Sequence, residues 1–237
     1  MIPWNKQRVL VLAPHPDDEA FGSGGLIHRV KRAGGKVFVM YMTVGTTHDF
    51  SKRGVSTKDE RIKEVERAAR SLRLDGYRFV FPGNQYHLKL DTVPQKDLIN
   101  EIERGKRISL ESTRPTMVIA TAPGDYNQDH RAVAMALMAA ARPAPPAQKH
   151  SPATVLFSEF TGNAWTAAGH ITPPSFFVDL RADDLAAKVK AVRCYKSQLK
   201  YPNSPISVKG VTTLAAMRGM QSGTRWAEAY TVKRLVV

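Results

Sequence analysis

The sequence predicts an α/β protein with a mainly parallel sheet and helices on both faces. Three observations predict it: short apolar, β-branched runs recur along the chain, helix-periodic segments separate them, and the spacing is that of βαβ units. Arg8 to Ala13 (RVLVLA) is apolar without alternation, which suits a strand buried on both faces, and Pro14 bounds it. Glu19 to Ala33 turns helical and ends at the Gly34-Gly35 pair, where glycine accepts the left-handed cap. Lys36 to Val44 (KVFVMYMTV) is a second strand.

Ser56 to Leu74 is strongly helical, with Ile62, Val65, Ala68, Ala69 and Leu72 forming one apolar stripe. Tyr77 to Phe81 gives a third strand, Val93 to Leu110 a helix with Pro94 near its first turn, and Thr116 to Ala122 (TMVIATA) a fourth strand. His130 to Arg142 is an Ala-rich helix that stops at Pro143-Ala144-Pro145-Pro146, where backbone donors are missing. Thr154 to Phe160 and Phe176 to Asp179 are expected as strands, Ala182 to Leu199 as a helix, and Glu228 to Val237 as a closing strand. The Pro-Ala stretch reads as a loop inside one domain spanning residues 1–237, since another apolar strand follows it.

The chain has 237 residues with 43% hydrophobic content, enough for one sizeable core. Its 35 Lys and Arg against 21 Asp and Glu leave a formal charge of 35 − 21 = +14, which attracts anions at long range. The positive residues are spread over the helices, as on ordinary solvated faces, and no nucleic-acid motif accompanies them. Cys194 stands alone, so no intrachain disulfide forms. Met1 to Arg8 lacks a signal-peptide pattern, and no apolar stretch approaches the ~18 residues of a membrane span, so a cytoplasmic location is expected.

The chemistry concentrates in Pro14-His15-Pro16-Asp17-Asp18-Glu19, between the first strand and its helix, with Gly22, Gly24 and Gly25 behind. A parallel sheet places its ligands beyond the carboxyl ends of its strands. Asp125-Tyr126-Asn127-Gln128-Asp129-His130 follows the strand TMVIATA and reaches the same edge. His15, Asp18 and His130 together make the three protein ligands of a catalytic zinc site with an open position. Capping of a helix N-terminus explains one carboxylate and leaves the rest of the motif over. His28, His48, His87, His150 and His170 lack partner spacing and read as surface or packing residues.

Val9 to Gly25 (VLVLAPHPDDEAFGSGG) resembles the opening of the LmbE-like superfamily, the PIG-L-type deacetylases, and DYNQDHRAV resembles its second metal motif. Lys196-Ser197-Gln198, Arg218-Gly219 and Ala227-Glu228-Ala229-Tyr230 are similar to its closing pattern. The resemblance implies a Rossmann-like fold and zinc-dependent removal of an acetyl group from the amide nitrogen of an amino sugar or its conjugate. It implies that His15, Asp18 and His130 hold the ion, with Fe2+ or another divalent metal as substitutes, and that Asp17 is the general base. Many members carry a histidine where this chain has Asn127, which donates a hydrogen bond and delivers no proton. Either Asp17 then acts as both base and acid or another residue, such as Tyr126 or His170, fills the gap; Asn127 or Tyr126 is the expected oxyanion donor, and Asp129 is expected to orient a ligand imidazole or a basic partner. Arg61 and Glu64 fall at the family's Arg-x-x-Glu pattern, with Arg61 toward substrate; an exposed i, i+3 ion pair is the plainer account of them. Two other classes fit parts of the sequence. The His/Asp/His set also describes a non-haem iron oxygenase, and the charge alone suits a polyanion binder without catalysis.

Overall fold

The computed structural model describes residues 2–49, 53–159, 161–162 and 172–236. His170 and the outer ends of two expected strands, Phe160 and Val237, lie outside them. The chain runs β1 (Arg8–Ala13), α1 (Asp18–Ala33), β2 (Lys36–Val44), the short hairpin β3 (Thr47–His48) and β4 (Val55–Ser56), α2 (Lys58–Leu72) and β5 (Gly76–Pro82). It continues with α3 (Gln95–Arg104), α4 (Leu110–Thr113), β6 (Met117–Thr121), α5 (Gln128–Ala140), β7 (Thr154–Ser158), β8 (Phe176–Asp179), α6 (Ala182–Val192), α7 (Val208–Ser222) and β9 (Ala227–Leu235).

Among the described residues the main sheet has seven strands in the order β5-β2-β1-β6-β7-β9-β8. The five from β5 to β7 pair in parallel, and β9 runs antiparallel to both neighbours. β1 distributes its side chains to two cores. Val9, Val11 and Ala13 join α1, while Leu10 and Leu12 join α3 and α5 on the other face. This explains its unbroken apolar sequence. The chain leaves β1 toward β2 and β5 and returns to lay β6 on β1's other side, in register Val9↔Met117 to Leu12↔Ala120. The reversal makes the carboxyl end of the β1/β6 pair the switch point of the sheet.

Two expectations are corrected, and one helix was not expected. The helix expected over 93–110 is α3 plus the separate turn α4, because Gly105 ends the first and Ser109 caps the second through the Ser112 amide. The helix expected over 182–199 stops at Val192. Helix α7 has no counterpart in the sequence reading, because VKGVTTLAAMRGMQS carries two glycines and adjacent threonines and no clear apolar stripe.

The Gly-Ser-Gly-Gly run of α1 serves close packing. A Cβ on Gly24 would stand 3.0 Å from Lys188 Cγ, and one on Gly25 would stand 2.7 Å from Leu180 Cδ2. Through this gap Lys188 Nζ donates to the Phe21 carbonyl and to Glu228 Oε1, both at 2.6 Å. Glu228 also accepts the Gly25 and Leu26 amides and the Tyr230 hydroxyl. Glu228→Ala leaves the ammonium buried without its partner, so a loss of about 3–5 kcal/mol is expected in denaturant unfolding, largely recovered in a Lys188→Met/Glu228→Leu double variant.

Candidate active site

Pro14 and Pro16 stiffen the turn out of β1, and Asp17 follows with φ at 113°. Few non-glycine residues adopt this conformation, and it costs about 1–3 kcal/mol where it is imposed. Asp17 starts α1 with its carbonyl, which accepts the Ala20 and Phe21 amides at 2.9 Å, while its carboxylate makes no capping bond. The capping account therefore fails for Asp17, whose side chain lines a pocket of about 230 Å³. All the predicted site residues except Asp129 line this pocket: His15, Asp17, Asp18, Arg61, Tyr126, Asn127 and His130.

His15 Nε2–H donates to Asp129 Oδ2 at 2.9 Å, which turns Nδ1 toward Asp18 Oδ2 at 3.5 Å. His130 Nδ1–H donates to Asp125 Oδ2 at 2.9 Å, which turns Nε2 toward Asp18 Oδ1 at 3.4 Å. These three side chains can offer one ligand atom each within 4.8 Å of one another. Two vertices of a tetrahedron with ~2.1 Å metal bonds stand about 3.4 Å apart. The ring-to-carboxylate separations thus match adjacent ligands of a tetrahedral ion and are long for hydrogen bonds. Each imidazole also has a buried carboxylate on its far nitrogen, the arrangement that fixes tautomer and direction in metal-binding histidines.

Carboxylates dominate the field at His130. Burial alone lowers the proton affinity of His130, yet Asp18 and Asp125 outweigh it and lift its pKa to about 10. Burial would raise Asp18, but the His130 and His15 rings hold it far below the usual carboxylate range. Burial, with the charge of Asp18 next, pushes Asp17 well above that range, and burial takes Glu19 up to about 7. His15, Asp18 and His130 form a group that could hold a cation in this negative field.

Asn127 caps α5, accepting the Asp129 amide at Oδ1 (2.9 Å), so its NH2 group is the part available for donation. Tyr126 is 49% exposed at the pocket mouth. Arg61 is buried and not paired on a wet face: Nη1 donates to Thr47 Oγ1 at 2.6 Å and to His87 Nε2 at 2.7 Å. Glu64 is buried as well and accepts the Ser197 amide and hydroxyl at 2.9 and 2.6 Å, fastening the 196–200 segment to the rim.

Two residues of the site were missed in the sequence reading: Asp125 had no role of its own, and His87 was read as a surface or packing residue. Asp125 orients His130 as Asp129 orients His15, and its position five residues before the histidine, in the loop beyond β6, was the available signal. His87 is buried with its ring 5.4 Å from that of His15, in the loop after β5 at the same sheet edge. Burial, then Arg61 and His15, push its pKa down to about 3, so it accepts from Arg61 as a neutral ring. A second group, His28 with Asp183 and Asp184, lies far from the pocket, and Arg32 pairs with both of its carboxylates.

Residues 10–141, more than half of the chain, match the family model described as PIG-L, GlcNAc-PI de-N-acetylase. Diacetylchitobiose deacetylase of Thermococcus kodakarensis is 27% identical over 235 residues, covering 95% of this chain and 83% of that protein. A conserved protein of Thermus thermophilus superposes with a TM-score of 0.74 at 27% identity, over 98% of this chain and 96% of its own. The 4-carboxy-2-hydroxymuconate hydratase of Pseudomonas putida shares the fold with a TM-score of 0.71 at 19% identity, over 98% of each chain.

Proposed function

The chain belongs to the PIG-L de-N-acetylase family, and from that premise we propose that it is a metal-dependent amide hydrolase that removes the acetyl group from an N-acetylated amino sugar or its conjugate. The observation that carries the proposal is the convergence of His15 Nδ1 and His130 Nε2 on Asp18 at 3.5 and 3.4 Å, with Asp17 in the same pocket. His15, Asp18 and His130 are the proposed ligands, and zinc is the proposed ion because imidazole and carboxylate in a three-ligand set suit it. Bound there, a divalent cation supplies Lewis acidity, acidifying water toward ~7 and polarising the amide carbonyl.

Asp17 accepts the proton of the attacking water and returns it to the departing amine, so one carboxyl acts as base and then as acid. Its high proton affinity favours the second of these tasks. The Asn127 amide NH2 and the Tyr126 hydroxyl are the donors for the developing oxyanion. Arg61, held by Thr47 and His87, presents a fixed guanidinium to substrate hydroxyls and to Asp17. Asp129 and Asp125 keep the two imidazoles turned to the ion. Asp125→Asn is expected to weaken metal affinity about 10–100-fold, measured by competition with a chromophoric chelator.

Release of acetate from a panel of N-acetylated amino sugars by zinc-loaded protein tests the proposal. Because a hydratase shares this fold, acetate is the informative product. Stoichiometric acetate and free amine are expected, and an inert panel with a loaded metal site would remove the amide-hydrolase reading.

A further inference from the structure

The strained turn at Asp17 is held on both sides of the residue. On its carboxyl side, the Asp17 carbonyl accepts the Ala20 and Phe21 amides, which ties that peptide to α1. On its amino side, the peptide between Pro16 and Asp17 is gripped at both polar atoms. Arg61 Nη2 donates to the Pro16 carbonyl at 3.4 Å, and the Asp17 amide donates to Glu19 Oε2 at 3.2 Å. Fixing both peptides fixes φ, here 113°, and with it the direction in which Cβ carries the carboxylate. An aspartate released from these contacts relaxes to negative φ and swings its side chain away.

Glu19 is fully buried, and its two oxygens have separate partners. Oε2 takes the Asp17 amide, while Oε1 accepts the hydroxyl of Tyr195, itself fully buried and 3.4 Å from the Tyr41 hydroxyl. A glutamate that merely capped α1 would sit in water and need no second partner. Here a carboxylate is kept in the core, stripped of its hydration, between one tyrosine and the backbone of the proposed base. Tyr195 follows α6 and leads into the pocket rim: Ser197, Gln198, Leu199 and Lys200 line the pocket, and Glu64 holds Ser197 by its amide and hydroxyl. The rim and the seat of Asp17 therefore share one attachment.

We infer that Glu19 and Tyr195 are positioning residues for the amide hydrolysis: together they hold the peptide between Pro16 and Asp17 in the orientation that aims the Asp17 carboxylate into the pocket. The inference rests on the amide-hydrolase reading and adds two residues to it. Neither of these side chains lines the pocket, so both act through Asp17.

Two measurements test it on the full chain. Glu19→Leu/Tyr195→Phe removes both polar partners at similar volume, which keeps the core filled. In the zinc-loaded chain this pair is expected to lower kcat for acetate release by on the order of tenfold to a hundredfold, the effect of moving a reacting group by ~1 Å. KM and zinc affinity should change less than about twofold. In an Asp17→Asn background the same pair is expected to change kcat by less than about twofold, because the group that it positions is already gone. Glu19→Gln keeps an acceptor for the Asp17 amide and should recover most of the rate. An equal fall in both backgrounds would make the pair part of the fold only, and an unchanged kcat would leave it no role; either result overturns the inference and leaves the hydrolase reading intact. Tyr195→Phe alone, the milder variant, should show a smaller fall with the same dependence on Asp17, and it decides the matter if the pair variant folds poorly. The second measurement needs no turnover: crystal structures of the native and pair-variant chains. Departure of Asp17 from φ near 113° in the variant, with His15, Asp18 and His130 in place, supports the inference even if neither chain releases acetate, a result that would then count against the hydrolase reading alone. A variant that keeps Asp17 in its native conformation overturns it.

Discussion

Replacing Asp17 with Asn is expected to lower turnover by on the order of a hundredfold or more, with metal content and unfolding midpoint close to those of the native chain. The substitution is nearly isosteric, and the backbone of Asp17, which begins α1, keeps both of its helical hydrogen bonds. Its carboxylate caps nothing, so no fold-stabilising bond is lost with the charge. Only the capacity to take and return a proton disappears. Acetate release in single-turnover and steady-state assays, beside metal analysis, checks the prediction. The fall belongs in kcat, with KM little changed, because the amide side chain still occupies the same space beside the substrate. Activity within a few-fold of native would remove Asp17 from the role of base.

His130→Ala is expected to abolish measurable metal binding at micromolar ion and to take acetate release to background. Two effects combine. A proposed ligand is deleted, and the buried carboxylate of Asp125 loses the N–H that it accepts at 2.9 Å. With the imidazole gone, Asp18 and Asp125, which it joins through its two nitrogens, both lose their shared charged partner and keep the His15 and Asn127 amides. The variant should therefore also unfold at lower denaturant, by about 2–3 kcal/mol. The unfolding loss should shrink as pH falls below the ordinary carboxylate range, where the unfolded chain takes up the proton that the His130 ring keeps off Asp18 in the native chain. Isothermal titration with zinc and a denaturant series at two pH values make the comparison. Native-like zinc affinity in this variant would contradict the assignment of His130 as a ligand.

The part of this architecture legible in the sequence is the part governed by local rules. β1, β2 and β6 declare themselves as apolar runs because both faces of each are buried, and the polar segments after β1 and β6 can only lie at the sheet's carboxyl edge. That brought His15, Asp18 and His130 to one edge before any coordinates, with Asp17 in the same segment; Asp129 was expected beside a ligand imidazole or a basic partner, and its carboxylate meets the His15 ring. What stayed hidden depends on tertiary contact. His87 has no partner spacing in sequence; it acquires meaning only because β5 returns beside β2 and delivers its loop to His15 and Arg61. Arg61 and Glu64 have the spacing of a solvated ion pair, and nothing local reveals that one donates to His87 while the other clamps Ser197. Helix α7 is invisible for a different reason, since its sequence is neither amphipathic nor strongly helix-forming and its packing on β9 supplies what propensity lacks.

X-ray absorption at the metal edge of the zinc-loaded chain tests the central claim most directly. Two imidazole nitrogens and a carboxylate oxygen at ~2.0–2.2 Å are predicted in the first shell, with the imidazole scattering reduced by half in His15→Ala. A bound ion with no imidazole scattering, or a spectrum that His15→Ala leaves unchanged, would contradict the account.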